Sequence, residues 1–462
     1  MHRFRYQGDA LYVEGVAAAA LAEQYGTPLY VYSAGTVLDH YERLRSSLRS
    51  LDPLICYAVK ANSNLALLRL LASRGCGFDL VSGGELYRVL RAGGDPARST
   101  FAGVAKTDRE IEEALQAKIY SFVVESREEL AAIDRVAARL GKKAPIALRV
   151  NPDVGAQTHA KVKTGVAESK FGISPEEIEG IYRQLPHFSH VSLRGIQFHI
   201  GSQIRDVEPF EEAVRRVIPL VELARDRFGA EFFDIGGGLG IAYEEALQSG
   251  DPGWWESQAQ WATPARYAER LLPLLGPLKL RTIVEPGRLL VGNAGILLTR
   301  VLYRKDRPEK KFVIVDAGMN DLIRPALYGS FHQIVPVTRR SGECMEADVV
   351  GPVCESGDCF AASRRMAPVE SGDLLAIFSA GAYGFSMASQ YNSRPRPAEV
   401  LVDGANHRLI RRRESYEDLV RGEGIDEEEI APGLSGRADG ASGQAGENES
   451  VTRDQAGRKE KP

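Results

Sequence analysis

The feature that most constrains this chain is an alternation. Eight short apolar runs, at residues 54–60, 77–81, 101–104, 119–124, 144–150, 192–199, 231–235 and 280–285, are separated by stretches of helical periodicity. Eight strand–helix units in roughly 250 residues predict an α/β fold with a closed, TIM-like (β/α)8 barrel, the competing arrangement being a doubly wound parallel sheet. In a barrel the C-terminal strand ends gather at one mouth, where side chains from distant parts of the sequence meet.

The residues expected at that mouth are polar. Lys60 ends the first run, Asp79 and Ser82 follow the second, Glu125 the fourth, Asn151 the fifth and His199 the sixth; Gly236, Gly237 and Gly238 follow the seventh and Glu285 the eighth. A lysine at the end of a buried strand either snorkels outward or loses part of its basicity to burial, and burial is expected to lower the Lys60 pKa and make it a usable amine nucleophile. Three successive glycines let the backbone approach an anion and offer N–H groups to a phosphate, although alone they read equally as a tight turn. The loops after the seventh and eighth strands are where phosphate sites recur in barrels. Lysine, glycine cradle, glutamate and His199 together fit pyridoxal 5'-phosphate, with Lys60 holding the aldehyde as a Schiff base and the acid keeping the ring nitrogen protonated.

Outside the alternation the pattern changes. Residues 1–35 read as short strands and a helix, and residues 285–415 as β runs punctuated by glycine and proline, which predicts a C-terminal all-β domain that the N-terminal strands join. The barrel is expected over 36–284. From 416 to 462 acidic residues and then Gly, Ser, Ala, Glu and Gln predominate, so a mostly disordered tail is expected. The loop 152–172, with His159, Lys161, Lys163 and Lys170, is long for a βα connection and reads as a lid or binding loop. Trp254, Trp255 and Trp261 lie in an insertion and are expected to pack a helix.

Of 462 residues, 44% are hydrophobic and 26% charged, and the formal charge is −4. That balance points away from nucleic-acid and membrane partners and toward a small molecule. Five cysteines without regular spacing argue for a reducing compartment, and no run is apolar enough for a signal peptide or a membrane span, so a cytoplasmic location is expected. No metal site is expected, because no histidine lies between Cys354 and Cys359.

Taken as a set, Tyr57-Ala58-Val59-Lys60-Ala61-Asn62, Phe198-His199-Ile200-Gly201-Ser202, Gly236-Gly237-Gly238-Leu239-Gly240, Glu285-Pro286-Gly287-Arg288 and Cys354-Glu355-Ser356-Gly357-Asp358 resemble the signatures of the diaminopimelate decarboxylases, barrel-type enzymes dependent on pyridoxal phosphate. The resemblance runs in order from about residue 10 to about residue 420. It implies that Lys60 carries the cofactor, His199 stacks on its ring, Ser202 and Gly236 to Gly238 hold the phosphate, and Glu285 pairs with the ring nitrogen. Asp79, Gly287, Arg288 and Tyr383 are expected at the cofactor as well. Arg288, Arg324, Tyr328, Glu355 and Tyr383 are implied substrate contacts, arginine for its bidentate grip on a carboxylate. Cys354 is the implied proton donor to Cα, on a loop that in this family reaches the other subunit's site, so a homodimer is implied. The implied reaction is decarboxylation of meso-diaminopimelate to L-lysine, the final step of lysine biosynthesis. Without the resemblance, Arg324 and Tyr328 would read as a surface ion pair and a packed ring. Decarboxylases of ornithine, arginine or carboxynorspermidine, a racemase and a non-enzymatic cofactor carrier are the rival readings; Glu355 and Glu285 weigh against the first two.

Overall fold

A computed structural model describes residues 1–155, 169–258 and 260–424. Two compact units are distinguished, Met1–Leu419 and Val420–Pro462. Of the second, 420–424 are described, forming a turn in which the Glu423 N–H donates to the Val420 carbonyl at 3.0 Å.

Eight parallel strands close into the barrel: Leu54–Ala58, Gly77–Leu80, Ser99–Phe101, Ser121–Val124, Ala144–Arg149, Val191–Gln197, Phe232–Asp234 and Arg281–Val284. Seven match the predicted runs to within about two residues at either end, whereas the third, predicted over 101–104, lies earlier at Ser99–Phe101 and shares only Phe101 with it. Strands in a barrel alternate between the interior and the helical jacket. Leu54 and Cys56 meet Ala147, Phe232 and Ile283 in a small cluster of their own, whereas Ile55 and Tyr57 join the main core with the surrounding helices. A Cβ on Gly195 would come within 2.3 Å of the Phe232 ring, so the absence of a side chain there admits the aromatic ring of the next strand. Helices after the strands start at polar caps: Asn64, Ser82, Thr107 and Ser126 each accept a hydrogen bond from a backbone N–H of the first turn. Ser82, expected at the mouth, thus ends up as a helix cap.

The C-terminal region, together with Leu29–Ser33, builds a nine-stranded sheet. Leu29–Ser33 pairs antiparallel with Gly295–Asp306 on one side and parallel with Ala398–Asp403 on the other. The first three N-terminal strands, Phe4–Gln7, Ala10–Val13 and Val16–Ala17, form a separate small sheet. One expectation needs correcting: the β runs read from residue 285 onward begin instead with a helical turn, Arg288–Val291, and the first strand starts at Gly295. The turn buries Leu290 and Val291 while leaving Arg288 beside the barrel mouth.

The sheet is tied to the lysine turn. The Tyr383 N–H donates to the Ala61 carbonyl at 2.8 Å and the Asn62 side chain to the Gly381 carbonyl at 3.2 Å. Asn64 Nδ2 donates to the buried Glu399 at 2.8 Å, and the same carboxylate accepts from Tyr32 at 2.7 Å and from Arg411 at 2.5 Å. The three tryptophans of the insertion pack edge-on against one another, with ring centroids 4.8–5.9 Å apart. His159, Lys161, Lys163 and the tail beyond residue 424 lie outside the described residues. Among the described residues no helix is long and apolar enough to cross a membrane.

Candidate active site

A cavity of about 440 Å³ opens at the C-terminal end of the barrel. Lys60, Asp79, His199, Ser202, Gly236, Gly237, Gly238, Glu285, Gly287, Arg288 and Tyr383 all line it. Lys60 follows the first strand in a single 3-10 turn, Val59–Ala61, which swings its side chain into the cavity. Its Nζ donates to Asp79 Oδ2 at 2.8 Å.

The expected depression of the Lys60 pKa is not found. Burial does pull it down, but Asp79, Tyr383 and Glu285 face the ammonium and outweigh that effect, so the pKa is raised above the usual lysine value. For Lys60 the nearby negative charge outweighs desolvation. Glu285 Oε1 accepts from Thr100 Oγ1 at 3.3 Å and Oε2 from Gln197 Nε2 at 3.1 Å. Burial, then Asp234 and Asp79, push the Glu285 carboxyl well above its ordinary range. Burial likewise raises Asp234 to about 7. His199 accepts the Gly237 N–H at Nδ1, 3.2 Å, and burial together with Arg149 and Lys60 keeps its imidazole neutral.

The glycine run is required by close approach. A Cβ on Gly236, Gly237 or Gly238 would lie 2.1–2.5 Å from the carbonyl oxygens of Phe198, Glu285 or Gly201, and Gly236 and Gly238 adopt φ of +66° and +118°.

The opposite side of the site is cationic. Arg288 is 6% exposed; its Nε and Nη2 donate to Ser202 Oγ at 3.3 and 3.1 Å, and Nη1 donates to the Tyr243 hydroxyl. Its guanidinium lies 4.9 Å from the Tyr383 ring centre. Arg324, also 6% exposed, donates through Nε to His332 Nε2 at 3.3 Å and through Nη2 to Ser330 Oγ at 3.2 Å. It shares the Tyr243 ring with Arg288 and lies 5.8 Å from the Tyr328 ring. Neither guanidinium has a carboxylate partner among the described residues.

Arg324, Tyr328, Cys354 and Glu355 do not line the cavity within one chain. Cys354 and Glu355 are exposed on a loop held by Asp358, whose buried carboxylate accepts the Val353 and Met319 N–H groups at 2.6 Å each. Asn392 Oδ1 accepts the Cys354 N–H at 2.9 Å, and the Tyr391 hydroxyl donates to Glu355 at 3.0 Å.

Several residues of the site were not anticipated. Gln197 and Asp234 end apolar strands, and Asp234 directly precedes the glycine run, a signal that a buried polar strand end could have supplied. Arg149, paired with Glu125 at 2.6 Å, also lines the cavity, as does Phe171, whose ring lies 4.9 Å from the Arg149 guanidinium. Tyr243 and His332 lie in irregular segments without periodicity and gave no signal.

The donor set fits pyridoxal phosphate. Asp79 Oδ1, Gln197 Oε1 and Asp234 Oδ2 are buried without hydrogen-bond partners among the described residues, which leaves acceptors at the acidic end for a cationic ring. The glycine cradle and Ser202 lie in the same cavity for a phosphate.

A lysine-ended strand at the acidic mouth of a closed parallel barrel is the arrangement of a pyridoxal-dependent decarboxylase, and the family model "Pyridoxal-dependent decarboxylase, pyridoxal binding domain" matches residues 34–292. The chain is 49% identical over 414 residues to a diaminopimelate decarboxylase of Neisseria meningitidis, covering 89% of this chain and 98% of that one. It is 46% identical to the one of Aquifex aeolicus over 90% of this chain and 96% of the relative. A crystal structure of diaminopimelate decarboxylase from Helicobacter pylori complexed with L-lysine superposes with a TM-score of 0.81 at 41% identity, covering 87% and 98% of the two chains. The chain belongs to the diaminopimelate decarboxylase family.

Proposed function

We propose that this chain converts meso-2,6-diaminopimelate to L-lysine and CO2 at the barrel mouth, the last step of lysine biosynthesis. The observation that carries the reading is the pairing of an acidic end around Lys60 with Arg288, which lines the same cavity, and Arg324, which shares the Tyr243 ring with it. Pyridoxal phosphate, when bound, supplies the electron sink for the charge left at Cα by departing CO2.

The chain's own groups do the rest. Lys60 would hold the cofactor aldehyde through its amine, and Asp79 keeps that amine oriented. Glu285, fixed by Thr100 and Gln197, would face the ring nitrogen, where a positive charge would draw its raised carboxyl back toward ionisation. His199 would lie against the ring, and Ser202 with the Gly236 to Gly238 backbone would receive the phosphate. Arg288, Arg324 and Tyr328 would hold the distal carboxylate, and Glu355 the distal ammonium. Cys354 would return the proton to Cα.

Cys354 and Glu355 are exposed and do not line their own chain's cavity, which supports a homodimer in which each loop completes the partner's site. The reading takes 36–284 as the cofactor-holding barrel and 285–415 with the first 35 residues as the substrate-facing sheet, working in the cytoplasm.

CO2 release from purified, cofactor-loaded protein offered meso-diaminopimelate, ornithine, arginine, lysine and carboxynorspermidine separately tests the substrate. Release from meso-diaminopimelate with lysine as product is expected; preference for any other would overturn the assignment. Mixing inactive Lys60→Ala and Cys354→Ala subunits should restore up to about a quarter of the sites if loops are exchanged across a two-fold interface. No recovery despite exchange of subunits would place Cys354 elsewhere.

A further inference from the structure

Arg288 and Arg324 present an unusual electrostatic situation. Both guanidiniums are buried, both lie against one aromatic ring, that of Tyr243, and all their hydrogen-bond partners are neutral. Two like charges sharing a ring repel each other, and burial removes the water that would screen them. Such a pair keeps its geometry only if neutral groups hold each guanidinium from behind and leave its remaining N–H groups for an anion.

The structure shows what holds Arg324. His332 is fully buried. Its Nδ1 is 2.8 Å from the Phe378 carbonyl oxygen, which can only accept, so Nδ1 carries the proton. Nε2 is then a bare lone pair, and it receives the Arg324 Nε–H at 3.3 Å. The Phe378 carbonyl thus selects the one tautomer able to accept from a cation. Burial and the nearby Arg324 lower the imidazole pKa to about 3, which keeps a second positive charge from forming there. The His332 ring also stands edge-on to Tyr243, centroids 5.1 Å apart at 82°, so one imidazole braces both the cation and the ring it shares with Arg288.

We propose that His332 is a positioning residue for substrate selection: through its lone pair on Arg324 and its edge on Tyr243 it aims the Arg324 guanidinium at the distal carboxylate, and thereby discriminates for ligands that carry one. The proposal rests on the substrate reading above and adds a residue that makes no contact with substrate. Its effect falls on recognition of the carboxylate rather than on the reaction at Cα, because Arg324 does not touch Lys60 or Glu285.

Two substitutions separate the roles of the two ring nitrogens. His332→Asn can still donate to the Phe378 carbonyl but has no acceptor that reaches Arg324; His332→Gln places an amide oxygen near the position of Nε2. Cofactor-loaded wild type and both variants are assayed for kcat and KM with meso-diaminopimelate, for inhibition by L-lysine and by cadaverine, which is lysine without its carboxylate, and for the absorbance of the bound cofactor. For His332→Asn we expect KM and the lysine inhibition constant to rise about ten- to a hundred-fold, the range of a lost hydrogen bond to a charged group. Cadaverine inhibition and the cofactor spectrum should stay at wild-type values, kcat should change by no more than about threefold, and His332→Gln should recover most of the lysine selectivity. Equal weakening of lysine and cadaverine, an altered cofactor spectrum, or a Gln variant no better than Asn would reduce His332 to a packing role and overturn the proposal. If His332→Asn does not fold, His332→Gln alone decides, since loss of lysine selectivity in it has the same consequence. Wild-type protein that releases no CO2 from meso-diaminopimelate would instead overturn the substrate reading, and this inference with it.

Discussion

The acidic end of the cavity and the arginine pair around Tyr243 beside it solve opposite problems. Around Lys60 the protein gathers Asp79 and Glu285, with Asp234 beside Glu285; the first two raise the Lys60 pKa, whereas burial first, and neighbouring carboxylates after it, raises those of Glu285 and Asp234. Around Tyr243 it gathers two guanidiniums and leaves them only hydroxyls and an imidazole. At the acidic end Asp79 pairs with Lys60 while burial holds Glu285 and Asp234 toward their protonated forms, and the two guanidiniums have no carboxylate partner among the described residues. A ligand pair with a cationic ring at one end and a carboxylate at the other completes both. The difference teaches that the site is organised by missing counter-charges as much as by contacts made.

The comparison can be broken most severely at the acidic end. Lys60→Ala should abolish the lysine-linked cofactor band and reduce turnover by at least about 10³-fold, because no other lysine among the described residues lines the cavity; an unchanged spectrum would mean that the acidic end is not the cofactor end. Glu285→Gln keeps both side-chain oxygen and nitrogen in the Thr100–Gln197 grip but removes the negative charge, and kcat should fall by about 10²–10³-fold with cofactor retained. On the cationic side, Arg324→Lys should raise KM for meso-diaminopimelate by about ten- to a hundred-fold with a smaller effect on kcat, since an ammonium cannot reproduce the planar fork.

The smallest effect is on the stability of the cofactor-free protein, where the two sides should have pH slopes of opposite sign. Asp234 is raised from 3.8 to about 7, so it is protonated in the folded chain while the unfolded chain has released its proton; its contribution is complete below pH 3.8 and is lost as pH rises through 7. His332 is lowered from 6.5 to about 3, so its contribution is complete above 6.5 and is lost as pH falls toward 3. Urea midpoints across this range should show Asp234→Asn removing the first slope and His332→Asn the second, each on the order of 1–3 kcal/mol.

How far the sequence foretold this depends on where each residue sits. The eight barrel strands were legible because burial on both faces forces near-continuous apolar runs, and a polar residue ending such a run marks the mouth. Lys60, Asp79 and Glu285 were found that way. The Lys60 pKa was read with the wrong sign, since the neighbours that decide it come from strands far apart in the chain. Tyr243 and His332 were invisible: they follow glycine-rich or irregular segments, where side-chain direction is set by tertiary contacts alone. Arg288 was placed, but its helical turn was taken for strand, because four residues are too few to show a period.

Leu29–Ser33 is wholly buried in the middle of the nine-stranded sheet, yet its two neighbours come from Gly295–Asp306 and Ala398–Asp403. It precedes both of them in the chain, so both of its edges are covered only after Ala398–Asp403 has been made. During that interval the barrel, whose strand neighbours mostly follow one another in sequence, can close first, so the barrel precedes the nine-stranded sheet in assembly. The newborn polypeptide therefore carries an uncovered hydrophobic ribbon until residues 398–403 emerge, and a chaperone that shields such a ribbon should raise the yield of this chain more than that of a barrel alone.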